Sequence, residues 1–178
     1  MSGNHRGTAI TTRRRLLQSF NSLVLHGPEG RITVADIVRE AGVGRSTFYD
    51  HYSSARDIRQ QALAGPMTLL AESILGVRTE KRLSRLLTHF WENRERARRT
   101  FSGEEGDEVE QLLISILDSR LPQGAHSNRA SIKVVAIELA VVPLALIRAW
   151  LEGTVRCTGA EMAEHIAEAS ARIRKELL

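Results

Sequence analysis

An all-α fold is what the sequence predicts, and three observations predict it. Apolar residues recur at helical spacing through nearly every segment. Period-two alternation is absent over any useful length, and no strand pair with hairpin chemistry occurs. The interruptions are short and built from Gly, Pro and small polar residues, as between helices. With 178 residues, 42% hydrophobic and 26% charged, the chain has too much apolar content for a disordered protein. It can bury roughly 70% of its extended surface, enough for one sizeable core or two small ones.

The first helix is expected from Thr8 to His26, with Ile10, Leu16, Leu17, Phe20, Leu23 and Val24 on one face and Gly27-Pro28-Glu29-Gly30 as its stop. Thr33 is a good N-cap for a short helix whose face is Val34, Ile37, Val38 and Ala41. Gly42-Val43-Gly44 makes a tight turn into a second short helix, Arg45 to Tyr52. A longer helix starts near Ser54 and runs towards Leu75, with a kink expected at Gly65-Pro66. Then come helices over about Thr79–Phe101 and Asp107–Leu121, and a polar connection, Pro122 to Asn128. A long apolar helix covers about Ala130–Glu152, and the last starts at Thr158 or Gly159 and ends near Leu177.

Charge is unevenly placed. Residues 1–60 hold nine Arg and five acidic residues, a net +4, whereas residues 61–178 hold sixteen of each sign. Of the basic residues, 22 are Arg and three are Lys. The planar guanidinium fork suits phosphate. Codon usage in a GC-rich genome would also favour Arg over Lys, but not the regional asymmetry. That asymmetry points to an anionic partner for the first third.

The informative block is Thr33 to Tyr52, two short helices around a glycine turn, the pattern of a helix-turn-helix. Ile37, Ala41, Val43 and Phe48 supply the contacts between the helices, while Arg45, Ser46, Thr47, Tyr49 and His51 offer donors for phosphates and base edges. A bare glycine turn is a weak signal. The order Ala41-Gly-Val-Gly-Arg-Ser-Thr-Phe-Tyr-Asp-His-Tyr52 is much more specific, and it resembles the DNA-binding domain of the tetracycline-repressor (TetR) family of transcriptional regulators over about residues 8–60. Pro143-Leu-Ala-Leu-Ile-Arg-Ala-Trp-Leu-Glu152 and Glu161-Met-Ala-Glu-His165 are similar, less diagnostically, to that family's last two helices.

The resemblance implies a helix-turn-helix domain over residues 1–53 and a helical effector-binding and dimerisation domain over 54–178. It implies phosphate contacts by Tyr49 and His51, a cap by Thr33 on a helix facing the DNA backbone, and base or phosphate contacts by Arg45, Ser46 and Thr47. Gly44 departs from the family's usual Ser or Thr cap, Val38 replaces a small residue, and Ala55 stands where a phosphate-reaching Lys is common. Arg56, next door, is the candidate substitute. Arg13-Arg14-Arg15, preceded by Arg6, is either a solvated face or, as the resemblance suggests, a contact to phosphate or minor groove; Arg14 represents it among the expected DNA-binding residues.

In the C-terminal part Met162, Ile166, Ala169, Ile173 and Leu177 form one stripe. With Ile137, Val141 and their neighbours they read either as core of one chain or as a homodimer interface built from the last two helices, and the resemblance favours the dimer. Glu138 lies amid apolar residues and needs a partner, an exposed edge or water. Alternatively it anchors an effector pocket, with His89, Trp91 and Arg94 as further candidates.

Rival classes find little support. Glu161, His165 and Glu168 share a helical face, but a carboxylate-bridged metal site wants Glu-x-x-His on two helices. H-E-x-x-H, a phosphate loop and G-x-G-x-x-G are all absent, so neither an enzyme, a metal nor a cofactor is expected. A protein-interaction module that has lost DNA binding would not need the intact Arg45, Thr47, Tyr49 and His51. The most apolar stretch, Val134–Leu151, is interrupted by Glu138, Pro143 and Arg148, and one cysteine, Cys157, precludes an internal disulfide. The expectation is a cytoplasmic, dimeric regulator, most simply a repressor. Its partners would be a near-palindromic double-stranded DNA operator, a second copy of itself and a small-molecule effector, with no membrane.

Overall fold

The computed structural model describes residues 4–27, 30–122 and 129–177. Among them there are helices and turns and no strand. In chain order the helices are α1 (Asn4–His26), α2 (Val34–Ala41), α3 (Arg45–Tyr49), α4 (Ala55–Ile74), α5 (Glu80–Glu92), α6 (Arg94–Thr100), α7 (Gly103–Arg120), α8 (Arg129–Glu152) and α9 (Gly159–Leu177). The chain forms two compact units, Met1–Leu63 and Ala64–Leu178. Their boundary falls inside α4, ten residues beyond the division at 53/54 drawn from sequence. Pro28, Glu29, most of the Pro122–Asn128 connection and the side chains of Arg6, Ile10 and Leu177 lie outside the described residues.

Three helices start with the same local chemistry. Thr33 accepts a hydrogen bond at Oγ1 from the Asp36 amide, and Asp36 accepts one from the Thr33 amide at 3.0 Å. Ser54 and Asp57 open α4, and Thr158 and Glu161 open α9, in closely related pairings. Each satisfies amide donors that the first helical turn leaves free.

In the first unit, Leu16 and Phe20 of α1, Ile37 and Ala41 of α2, Phe48 and Tyr52 around α3, and Ile58 of α4 form one buried cluster. Val43 and the atypical Val38 pack against its edge. In the second unit α9 lies mainly on α5 and also on α8, which in turn packs on α7. α4 runs through Gly65-Pro66 as one helix.

The single helix expected over Thr79–Phe101 is two. Asn93 leaves helical geometry (φ −110°, ψ 35°), and its side-chain amide donates to the His89 carbonyl at 3.0 Å. This is the local competition that makes Asn a poor helix-interior residue. The stretch Ile132–Glu152 of α8 is long and apolar enough to cross a membrane by length and composition alone, despite its three interruptions. Here its Ile132, Ala136, Leu139, Ala140, Leu144, Ile147, Trp150 and Leu151 are buried within the second unit, as in a core helix.

Candidate nucleic-acid interface

α3 is presented by a turn whose conformation only a few residues tolerate. Gly42 has φ 59° and ψ 41°, the left-handed region, and its amide donates to the Arg39 carbonyl, closing α2. Gly44 then precedes α3 with no side-chain cap, so that helix lacks the usual hydroxyl acceptor at its start. Phe48 anchors it: the ring is fully buried and packs edge-on against Tyr49 and tilted against Tyr52, at centroid distances of 5.5 and 5.7 Å. Burying Phe48 and Tyr52 leaves Arg45, Ser46 and Tyr49 on the outside, with Tyr49 56% exposed. Thr47 and His51 are half-buried.

Each expected DNA-binding residue has a definite setting. Arg14 is exposed on α1, and Arg56 is exposed in the first turn of α4. Thr33 is exposed, but its hydroxyl donates to Asp36 at 2.6 Å while accepting from the Asp36 amide. The hydroxyl proton is thereby committed to the cap. Bonds from Thr33 and the nearby Arg39 hold the Asp36 carboxyl below its ordinary range. Tyr49 and His51 border one shallow polar depression with Arg13, Tyr52, Ser53 and Gln61. Asp50 and Asp57 also line it, and bonds from Ser53 and Ser54 hold Asp57 below its ordinary range.

Two sets of contacts in this region carry no periodic or motif signal. Gln61 on α4 accepts at Oε1 from Arg13 (2.9 and 3.2 Å) and from the Tyr52 hydroxyl (2.8 Å). Arg15 donates to the Gly42 carbonyl at 3.0 Å. Partners 48 and 27 residues apart cannot be found from local spacing.

The effector-pocket candidates do not converge. Trp91 is stacked on buried Trp150 at 5.0 Å, Arg94 lies over the Trp91 ring at 4.8 Å, and Arg94 Nε donates to the Leu151 carbonyl. His89 is exposed beside Asn93. Glu138 is exposed on α8, thirteen residues and so about 20 Å of helix from Leu151. It sits at an edge rather than in a buried anchor position.

The dimer stripe also needs correction. Met162 and Ile166 are fully buried and Ala169 nearly so, all inside the second unit, while Ile173 is half-buried. Met162, Ile166 and Ala169 are core, because α9 turns them towards its own chain, and Ile173 lies at the edge. Ile137 and Val141 on α8 remain 39% and 41% exposed.

No family model matches the chain, and no curated protein sequence is similar to it. Solved structures are. The dihydroxyacetone kinase operon activator DhaS is 17% identical, covers 93% of this chain and 98% of its own, and superposes with a TM-score of 0.50. AlkX, a TetR family repressor from Dietzia sp. strain DQ12-45-1b implicated in biodegradation of n-alkanes, is 18% identical, with 94% and 98% covered and a TM-score of 0.50. Similarity along nearly the whole of both chains, together with an all-α arrangement among the described residues, shows that this chain has the TetR-like fold.

Proposed function

We propose that the chain is a DNA-binding transcriptional regulator that engages a near-palindromic operator as a homodimer and is released by a small-molecule effector. The observation that carries the DNA reading is the first unit: a buried Phe48 beneath a short helix whose Arg45, Ser46 and Tyr49 face outwards, in the part of the chain that holds all the net positive charge. Repression is the simpler mode, since an occupied operator blocks transcription without a further contact. The two structural neighbours are named as a repressor and an activator. In the proposed mechanism effector and operator prefer different arrangements and weaken each other's binding equally, by a coupling of about 1–3 kcal/mol. α4, which belongs to both units, is the proposed transmitter. Such a regulator would act in the cytoplasm, without a cofactor. The proposed dimer face is α8, where Val134, Ile137, Val141 and Val142 are exposed around Glu138.

Selection from a randomised duplex pool tests this. The expected result is an enriched, near-palindromic sequence with half-site centres about one helical turn or a multiple apart. Enrichment of no sequence overturns the reading. With that operator, Arg45→Ala should cost about 1–3 kcal/mol for each half-site and relax preference at one position in each. Tyr49→Phe should weaken binding evenly across sequences, because a phosphate contact carries no base information.

A further inference from the structure

Three consecutive arginines on α1 have three different settings. Successive residues turn by about 100° around a helix, so Arg13 and Arg15 lie about 200° apart. They flank the stripe through Leu16 and Phe20 that faces the core, and Arg14 between them faces away from it. Arg13 sits over the Tyr52 ring at 5.3 Å and reaches Gln61 through both Nε and a terminal nitrogen. Arg15 holds the Gly42 carbonyl. Arg14 has no hydrogen-bond or ionic partner among the described residues.

These contacts fall on either side of α3. Gly42 lies three residues before Arg45, and Tyr52 three residues after Tyr49. α3 is five residues long and starts at Gly44 without a side-chain cap. So short a helix has little intrinsic stability, and its orientation must come from its surroundings. We propose that Arg13 and Arg15 are positioning residues that brace the recognition helix from its two ends, Arg13 through Tyr52 and Gln61 and Arg15 through Gly42, and that Arg14 alone of the three carries its charge to the DNA backbone. The inference rests on the DNA-binding reading above and divides the labour within it. The planar fork is what the braces use. Arg13 lays a flat cation on the tyrosine face while two of its nitrogens donate to one oxygen, a geometry that the single nitrogen of lysine cannot reproduce. A phosphate contact needs chiefly the charge.

The test uses the full chain, duplexes enriched from the randomised pool, and an unrelated duplex of equal length. Arg14→Gln should reduce the slope of log affinity against log salt by about 1.8, roughly 0.9 for each of the two protomers, and weaken both duplexes alike. Arg14→Lys should restore the slope. Arg13→Lys and Arg15→Lys keep the charge and should keep the slope. Each should nonetheless lower the ratio of enriched to unrelated affinity by about tenfold for each protomer, the effect of losing one well-made contact. Gln61→Ala should reproduce the Arg13→Lys effect, and the double variant should add nothing further. A second arm needs no DNA. Amide exchange should quicken at His51 and Tyr52 in Arg13→Lys and at Gly42 and Val43 in Arg15→Lys, while the Ile37 amide stays at the wild-type rate. Unchanged exchange in both lysine variants overturns the braces, as does a slope in Arg13→Gln or Arg15→Gln that falls as it does in Arg14→Gln. Failure of the wild-type chain to enrich any duplex overturns the DNA reading instead, and the exchange arm still decides the braces.

Discussion

α8 and α9 are both apolar helices near the end of the chain, and on sequence they read alike. The structure separates them. α9 buries Met162, Ile166 and Ala169 inside its own unit and turns Glu161, Glu164, His165, Glu168 and Arg172 outwards. α8 buries Leu139, Leu144, Ile147 and Trp150, yet still exposes Val134, Ile137 and Val141 on the far side. A helix with one apolar stripe has one place to put it. A helix apolar on nearly all sides has surface left over once its core face is satisfied, and that remainder is the better candidate for a contact with another copy.

The largest expected effect breaks this comparison directly. Ile166→Glu places a carboxylate in a fully buried site and should cost about 4 kcal/mol or more in denaturant unfolding. Ile137→Glu with Val141→Glu alters only exposed positions, so unfolding of the protomer should change by about 0.5 kcal/mol or less. Sedimentation should nevertheless show monomers. A dimer that survives the α8 pair places the interface elsewhere.

A middle-sized effect tests how closely α9 is seated. A Cβ on Gly159 would stand 2.8 Å from the Thr88 backbone nitrogen and 3.2 Å from the Ser84 carbonyl oxygen on α5. Gly159→Ala should therefore destabilise by about 1–3 kcal/mol, through forced movement of one backbone against another. Gly65→Ala in α4 meets nothing within 4 Å and should stabilise by about 0.5–1 kcal/mol. Thermal unfolding of the two variants distinguishes a glycine required by packing from one that is not.

The smallest effect is electrostatic. The Thr158 amide and hydroxyl hold the Glu161 carboxyl below its ordinary value. A carboxyl lowered by folding adds stability above the unfolded value of about 4 and loses it as pH falls through the lower folded value. The start of α9 should therefore loosen in acid, and α8, with no acidic residue in its first turn, has no counterpart there. Glu161→Gln should flatten the fall in stability between about pH 5 and pH 2, measured by unfolding across that range. An identical acid profile in the variant would remove Glu161 as a contributor.

The chain by itself determined the all-α class, the α2–turn–α3 hairpin, the inward set Ile37, Ala41 and Phe48, and the cap at Thr33. Each rests on spacing within a segment or on the conformational freedom of a glycine at one position, so the information is local. Only the tertiary structure decided that the α9 stripe is core and that Glu138 sits at an edge. It also decided that Trp91 and Arg94 serve the end of α8, and that Arg13 and Arg15 are spent on Gln61 and Gly42. An apolar stripe states that something must cover it without saying what. A long flexible cation states that it wants an acceptor without saying which. Both questions are answered by segments distant in sequence, 27 to 57 residues away for these cations and further still for the α9 stripe on α5, brought into contact by packing that no local spacing encodes.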